Sequence, residues 1–250
     1  MVKAVFFSLF FVNEDNEEFN IQAFEENMRE KIKSDLLSAI DYTKDDGTYA
    51  DETYEAIQAI MDQLAALTPT PNPYASQDFI TDHWATLYAQ FGPRHTAGKS
   101  VAHDNMFHFV SWSNLPKVPF RNLDLRQEIH HETGDYNNVH IIQPIGGGMD
   151  CFYTVFGRYS VAAEMPQRYV VDFYRGQIRG QNGEDDEDIR AAFGFEPDVE
   201  LDFDLKSPPL HSDIVYCDED MRINFGSVGG KYILTRKESP WLSVVPNETT

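Results

Sequence analysis

Histidine and acidic residues are the side chains of this sequence whose types and spacing could support catalysis or metal binding. Eight histidines are present, including the adjacent His130 and His131, with His140 further along and His103 near His108. Neighbouring residues on a strand point to opposite faces, so His130 and His131 cannot readily bind one ion. The sequence lacks the HxH and HExxH spacings. We therefore expect scattered surface histidines and no metal site.

The sequence also lacks the common motifs of enzymes that do not use a metal ion. The sequence contains no nucleophile elbow, phosphate-binding loop or dinucleotide fingerprint, and the glycines at 146–148 precede no predicted helix. Asp218, Glu219 and Asp220 could act as acid–base carboxylates, but such a run at a hairpin end is more typical of a turn. We therefore expect no catalytic residue and no enzymatic activity.

This acidic run separates two predicted strands near the end of the chain. Residues 212–217, 221–225 and 231–236 are strand-like, and the second gap is the glycine-rich segment 226–230. In the middle strand Met221, Ile223 and Phe225 alternate with Arg222 and Asn224, which is the period of a strand with one apolar face. Short gaps join antiparallel neighbours. The pattern therefore predicts a meander that closes a sheet.

Strand signals recur upstream of this meander at nearly regular spacing. They fall at residues 84–91, 106–112, 123–131, 139–143, 152–163, 168–174 and 199–205. About ten strands with hairpin-sized connections predict a mainly β domain, either an antiparallel barrel or a sandwich. The acidic residues 184–188 lie in segment 177–197, which we interpret as a solvated, mobile loop.

The first part of the chain has the period of amphipathic helices. Apolar residues recur every three or four positions in 21–40 and again in 54–67. Residues 48–51 resemble a capping box before the second helix, and Pro69 ends that helix. We therefore divide the chain into a hydrophobic segment with a helical hairpin (1–68), a β-domain (69–237) and a tail (238–250).

Charge and cysteine content restrict the function further. The chain of 250 residues has a formal net charge of −21, and its acidic residues concentrate in 1–68 and 179–220. Binding to nucleic acid, or broad electrostatic adhesion to anionic lipid, requires clustered lysine and arginine. We therefore expect no nucleic-acid partner. Cys151 and Cys217 form no metal-binding pattern, and we interpret them as small buried residues.

Residues 2–12 form an apolar run that is too short to span a membrane, which takes about twenty residues. The run also lacks the features of a signal peptide or a transit peptide. One interpretation is an element buried against the β-domain. The other is a hydrophobic contact with a membrane or a membrane protein through Phe6, Phe7, Phe10 and Phe11.

The meander carries a motif known from one family. Residues 215–223, VYCDEDMRI, followed by glycines at 226 and 229 and by Tyr232, resemble the C-terminal motif of the plastid lipid-associated proteins, or PAP/fibrillins. Phe225 stands where that family usually has arginine. Segments 69–73, 84–88, 127–129 with 138–139, and 157–173 resemble further family segments in the same order, although Asp82 replaces a usual glycine.

This resemblance implies a lipocalin-like barrel that binds or escorts an apolar isoprenoid, lipid or pigment, for example a quinone or a carotenoid. It also implies a setting at thylakoid or plastoglobule membranes of a plastid or a cyanobacterium. Lipocalin barrels are closed by an arginine stacked on a tryptophan of the first strand, here Arg222 on Trp84. Aromatic side chains on strands would either contact the ligand or fill the core. They are Tyr88, Phe107, Phe109, Phe152, Phe156, Tyr159, Phe173 and Tyr232.

Three functions remain open from the sequence. Besides a ligand-binding barrel, the chain could be a structural or assembly subunit that docks on a photosynthetic membrane complex such as a photosystem. It could also be a bilin lyase-type enzyme on a related barrel. A continuous cavity favours the first function, a filled barrel with an exposed apolar patch the second, and convergent polar groups in a cavity the third.

Overall fold

The computed structural model describes residues 21–41, 49–90, 98–99, 105–109, 113–227, 229–236 and 238. The apolar run 2–12, with Phe6, Phe7, Phe10 and Phe11, and residues 239–250 of the tail lie outside the described residues. Among the residues described, no helix is long and apolar enough to cross a membrane.

Helices come first along the chain, and strands form most of the remainder. The helices are α1 (Ile21–Ile40), α2 (Asp51–Ala66), a 3-10 turn (Pro73–Ser76), α3 (Gln77–Ile80) and α4 (Asp186–Phe193). The strands are β1 (Asp82–Gln90), β2 (Gly98–Lys99), β3 (Asn105–His108), β4 (Pro119–His130), β5 (Asp135–Pro144), β6 (Cys151–Val161), β7 (Arg168–Gly180), β8 (Asp202–Asp204), β9 (Leu210–Cys217), β10 (Met221–Gly226) and β11 (Lys231–Arg236).

The strands close into an antiparallel barrel. Hydrogen-bonded neighbours run in the order β1, β11, β10, β9, β7, β6, β5 and β4, and β4 pairs again with β1. The short strands β2, β3 and β8 pair antiparallel with β1, β4 and β7, respectively. An eight-stranded closed barrel is the architecture of lipocalins. The predicted lipocalin-like barrel with a helical hairpin is therefore confirmed, and a sandwich is excluded.

Apolar side chains are buried in two main layers. One lies inside the barrel and includes Trp84, Phe120, Tyr153 and Leu234. The other lies between the outer wall of the barrel and the α1–α2 hairpin, where helix residues pack against the outward side chains of β1, β9, β10 and β11. Its members include Leu36, Ile57, Met61, Leu64, Tyr88, Tyr216, Met221, Ile223 and Ile233.

Bulges decide which side chains enter the barrel. On β1 the register shifts between Thr86 and Tyr88, so Trp84 lies in the interior layer whereas Tyr88 lies in the outer layer. One extra residue reverses the faces of all that follow in a strand. The prediction that Tyr88 faces the interior is therefore wrong. Its ring instead lies 5.8 Å from that of Tyr49, which packs with the helices.

A glycine brings β6 close to its neighbours at a second bulge. A Cβ at Gly157 would lie 2.6 Å from the Tyr136 carbonyl oxygen and 2.8 Å from the Phe173 ring. No other residue fits this space without movement of the backbone or the ring. The glycine thus lets the Phe173 ring lie against β6, inside the barrel.

The acidic segment 177–197 differs from the predicted loop. Its first residues extend β7, and residues 186–193 form α4, in which Ile189 and Phe193 are buried in the interior layer. The Asp185 carboxylate accepts hydrogen bonds from the backbone N–H groups of Glu187 and Asp188. Acidic side chains at a helix N-terminus cap its free N–H groups and favour its dipole. The charge run therefore marks a helix start.

The start of α2 also differs from its prediction. The N-cap residue is Ala50, which provides no side-chain hydrogen bond, and the helix begins at Asp51. Thr48, the first residue of the predicted capping box, lies outside the described residues. Asp51 and Glu52 in the first turn instead place negative charge near the helix N-terminus.

Candidate functional site

The barrel contains a cavity of about 110 Å³ with one apolar wall and one polar end. Its wall includes Leu125, Val171, Phe173 and Tyr232, contributed by β4, β7 and β11. Its polar side follows β5 from Tyr136 through Asn138 to His140 and includes Gln127 of β4. The polar end is the part of this side at Gln127 and Tyr136, and His211 and the exposed Ser227 lie at the rim. Inward positions of neighbouring strands thus separate apolar and polar groups within one space.

Three donors converge on one oxygen at the polar end. The Gln127 Oε1 atom accepts hydrogen bonds from Arg222 Nη2 at 2.6 Å, from the Tyr136 hydroxyl at 3.1 Å and from Asn224 Nδ2 at 3.5 Å. Asn224 Nδ2 also contacts the Tyr136 hydroxyl at 3.3 Å. These residues come from β4, β5 and β10, so their hydrogen bonds connect three strands across the inside of the barrel.

Arg222 is a fully buried cation in this group, with 0 % of its surface exposed. Its Nε and Nη1 atoms have no hydrogen-bond partner, and no described carboxylate forms an ion pair with it. Burial lowers the pKa of the Arg222 guanidinium, although arginine remains protonated in proteins. The barrel therefore encloses a positive charge that no protein carboxylate among the described residues balances.

Trp84 contacts two guanidinium groups at the closed end of the barrel. The Arg222 Cζ atom lies 4.7 Å from the centroid of its ring, and the Arg236 Cζ atom lies 4.5 Å away. The indole N–H donates to the Ile80 carbonyl oxygen at 2.8 Å, and Arg236 also pairs with Asp82. Sequence reasoning missed Arg236. The available signal was its place in the last predicted strand, 231–236, whereas the register that sets it opposite Trp84 comes from the structure.

His140 lines the cavity and is half-buried, although the sequence predicts surface positions for the histidines. Its Nδ1 atom lies 2.7 Å from Asn122 Oδ1, and its ring stacks on that of Tyr153 with centroids 5.6 Å apart. Burial lowers the pKa of His140 to about 4, so the imidazole is neutral at neutral pH. Next to it, the buried Asn138 Oδ1 atom has no hydrogen-bond partner. The cavity thus offers neutral acceptors as well as polar donors.

Comparison with known proteins assigns this barrel to a family. The family model described as PAP_fibrillin matches residues 30–235. The chain belongs to the PAP/fibrillin family. The match begins within α1, so it includes much of the helical hairpin as well as the barrel of this PAP/fibrillin.

Solved structures and curated proteins add little to this assignment. A lipocalin-like protein from Bacteroides uniformis ATCC 8492, known from a crystal structure, is 13 % identical to this PAP/fibrillin. The similarity covers 63 % of this chain and 98 % of that chain, with a TM-score of 0.28. No curated protein matches the chain.

The structure brings only part of the predicted aromatic set to the cavity of this PAP/fibrillin. Phe173 and Tyr232 line it. Phe109 lies inside the barrel but packs against Phe120 at 4.6 Å and towards α4. Tyr159 lies towards the closed end, where its ring is 4.8 Å from that of Tyr169. Phe107 is part of β3, and its side chain lies outside the described residues.

The sequence predicts that Phe152 and Phe156 contact the ligand or fill the core, but they lie on the outer face of the barrel. The inward residues of β6 are Cys151, Tyr153 and Val155. Because side chains alternate along a strand, Phe152 and Phe156 point outwards. Arg126 Cζ lies 5.9 Å from the Phe152 ring, and Arg175 Cζ lies 5.0 Å from the Phe156 ring. The run CFYTVF has aromatic residues at both alternations, so its pattern alone could not assign a face.

The remaining candidate residues do not converge on the cavity. Within the described ranges, no group of three or more histidine, cysteine, aspartate or glutamate residues could hold a metal ion. His131 contacts Asp78 at 2.7 Å, and the His130 ring lies 5.9 Å from that of His83. Cys151 and Cys217 are buried free thiols, and burial raises the pKa of each to about 12. Such thiols are poor nucleophiles.

Proposed function

We propose that this PAP/fibrillin binds or escorts one apolar molecule, an isoprenoid, another lipid or a pigment, in the barrel at photosynthetic membranes. The observation that carries this proposal is the cavity with its apolar wall, its polar end and its exposed rim. Family membership supports the same class of ligand. A quinone or a carotenoid end group has this combination of a ring or chain with few polar atoms.

The size of the cavity limits how much of the ligand is enclosed. A cavity of about 150 Å³ holds one benzene ring, so about 110 Å³ holds one small ring or a short alkyl segment. At about 0.8 kcal/mol per buried CH₂ group, five or six carbons contribute roughly 4 to 5 kcal/mol. This corresponds to a dissociation constant of about a millimolar. The rest of the molecule therefore extends past the rim, and further contacts supply the remaining affinity.

Ligand analysis of the native protein tests the proposal directly. The protein is purified from its source without detergent, its lipids are extracted, and mass spectrometry identifies any component present at close to one molecule per chain. One such apolar component supports the proposal. Its absence at every stage of purification contradicts it.

A pair of variants locates the ligand in the barrel. Val171 lines the cavity, whereas the adjacent Val170 on the same strand is 36 % exposed. Val171→Phe should remove most of the bound ligand because the ring fills the cavity, and Val170→Phe should retain it. Equal retention in both variants would place the ligand elsewhere.

The polar groups that line the cavity also bear on a lyase-type function. Convergent polar groups are present, but burial keeps His140 neutral and raises the pKa of Tyr232 to about 12. Gln127 and Asn138 are amides, which neither give nor take protons at neutral pH. These groups suit the recognition of a ligand better than acid–base catalysis, so we retain a non-enzymatic binding function.

A structural function is the second candidate, and the extent of filling inside the barrel favours it. Side chains such as Trp84, Phe120, Tyr153 and Tyr169 occupy most of the interior, and the cavity is small for a whole lipid. In that case the chain would dock on a photosynthetic membrane complex. Co-purification of such a complex with protein that carries no stoichiometric lipid would favour this candidate over the first.

A further inference from the structure

We propose that the polar end of the cavity binds the carboxylate of an acidic lipid, with Arg222 as its counter-ion. This inference rests on the proposed function and adds the chemical class of the head group. The tail would lie along the apolar wall and leave past the rim at Ser227. The residues that carry the inference are Arg222, Gln127, Tyr136 and Asn224.

The charge of Arg222 is the first reason. A buried guanidinium without a carboxylate partner is costly, because the interior does not replace the water that it has lost. Arg222 forms one hydrogen bond, to Gln127, and its Nε and Nη1 atoms have no partner. Arg236 shares the Trp84 ring with it, but Asp82 balances the charge of Arg236 and not that of Arg222. An anion in this region would balance a charge that the described part of the chain leaves unbalanced.

The crowding of donors on Gln127 is the second reason. A neutral amide oxygen has two lone pairs, yet Oε1 faces donors from Arg222, Tyr136 and Asn224. A carboxylate offers two oxygens with about four acceptor sites and a negative charge. Hydrogen bonds between arginine and a carboxylate are also stronger than those between arginine and an amide. A carboxylate would therefore accept hydrogen bonds from all three donors and balance the charge of Arg222, which the amide of Gln127 does not do.

The position of Gln127 connects this group to the cavity. Gln127 and Tyr136 both line the cavity and both belong to the polar group around Arg222. A carboxylate at this end of the cavity replaces Gln127 Oε1 as the acceptor when the Gln127 side chain rotates away. A water molecule at the same place would satisfy a donor but would not balance the charge. A comparison of charged with neutral ligands therefore shows whether the polar end binds a carboxylate or only a water molecule.

The first experiment compares ligands of equal chain length. Dodecanoic acid, dodecanol and methyl dodecanoate are titrated into the full-length protein at pH 7.5, below their aggregation concentrations. The acid should bind about tenfold more tightly than the alcohol or the ester, which is the effect of one charge-assisted hydrogen bond. Equal binding of all three overturns the carboxylate inference and leaves the proposed function standing. If none of the three binds, the proposed function itself fails for simple lipids.

The second experiment places a carboxylate in the protein itself. Gln127→Glu should raise the melting temperature, because the new carboxylate pairs with Arg222, and should weaken binding of dodecanoic acid about tenfold while dodecanol changes little. Gln63→Glu is the matched control, since Gln63 is exposed on α2 and the change in net charge is the same. The control should bind as the wild type does. Retention of the acid preference in a folded Gln127→Glu variant overturns the inference, and the ligand comparison on the wild type decides it if that variant does not fold.

Discussion

Lys33 on α1 and Asp218 in the turn between β9 and β10 form an ion pair of 2.9 Å, although the Lys33 side chain is only 1 % exposed. Lys33 also contacts Glu30 at 2.9 Å. The Asp218 carboxylate accepts further hydrogen bonds from the Tyr216 hydroxyl and from the Met221 backbone N–H. The acidic turn therefore holds the helical hairpin on the barrel as well as joining two strands.

Replacing Lys33 should loosen the hairpin. Burial lowers the pKa of Lys33, but the charges of Asp218 and Glu30 outweigh it and keep that pKa above its ordinary value, so the residue is charged at neutral pH. Lys33→Met should reduce the free energy of unfolding by about 3 kcal/mol, because it leaves Asp218 without its cation. Urea denaturation at pH 7 measures the change.

The control for this prediction is a lysine on the same helix. Lys31 is paired with Asp35 at 2.7 Å, but its side chain is 75 % exposed. Lys31→Met should change the free energy of unfolding by less than about 1 kcal/mol, as for most surface ion pairs. If the two substitutions have similar small effects, the ion pair between Lys33 and Asp218 does not hold the hairpin in place.

Removing the Trp84 ring should destabilise the barrel without a selective loss of ligand binding. The ring is fully buried and contacts both Arg222 and Arg236, but it does not line the cavity. Trp84→Ala should cost about 3 to 5 kcal/mol of unfolding free energy. Trp84→Phe keeps a ring for the guanidinium groups and loses the hydrogen bond to Ile80, so its cost should be smaller. A selective loss of ligand by folded Trp84→Phe would contradict this structural role.

Acidification should destabilise the protein through His140. Its pKa is about 4 in the folded state and about 6.5 in an unfolded chain, so the unfolded state binds more protons between these values. The resulting stability is fully present above pH 6.5 and is lost as the pH falls towards 4, by up to about 3 kcal/mol.

Unfolding free energies of the wild type and of His140→Gln, measured from pH 7 to pH 4, check this expectation. The variant should lose this part of the pH dependence. An NMR titration of the His140 ring in the folded protein gives the midpoint independently. Equal pH slopes in the two proteins, or a midpoint near 6.5, would show that the ring is not held neutral by burial.

Attachment to a lipid phase should depend on residues 2–12 and resist salt. The net charge of −21 opposes attraction to anionic lipid, and screening by salt weakens charge contacts but not apolar burial. Large apolar side chains contribute about 1.5 to 3 kcal/mol each when fully buried. Flotation with membranes is measured for the intact chain and for a chain lacking residues 1–12, at low and at high salt. Flotation of the truncated chain, or release of the intact chain by salt alone, would count against the contact.

The sequence by itself determined where most of the strands and helices lie. In β10 the alternation of Met221, Ile223 and Phe225 with Arg222 and Asn224 predicted both the strand and its two faces, since successive side chains of a strand point in opposite directions. The apolar stripes of α1 and α2 predicted helices with one covered face. Both signals are local, because they depend only on residues a few positions apart.

The tertiary structure decided which side chains meet. The bulge near Tyr88 turns that ring outwards, and the direction of β6 places Phe152 and Phe156 on the outer face. The positions of these aromatic residues in the sequence therefore do not reveal which of them line the cavity. Lys33 and Asp218 are 185 residues apart, and Arg236 reaches Trp84 only because the barrel closes. Such contacts depend on packing between segments that are distant in the sequence, and one extra residue in a strand reverses the faces of all the residues that follow it.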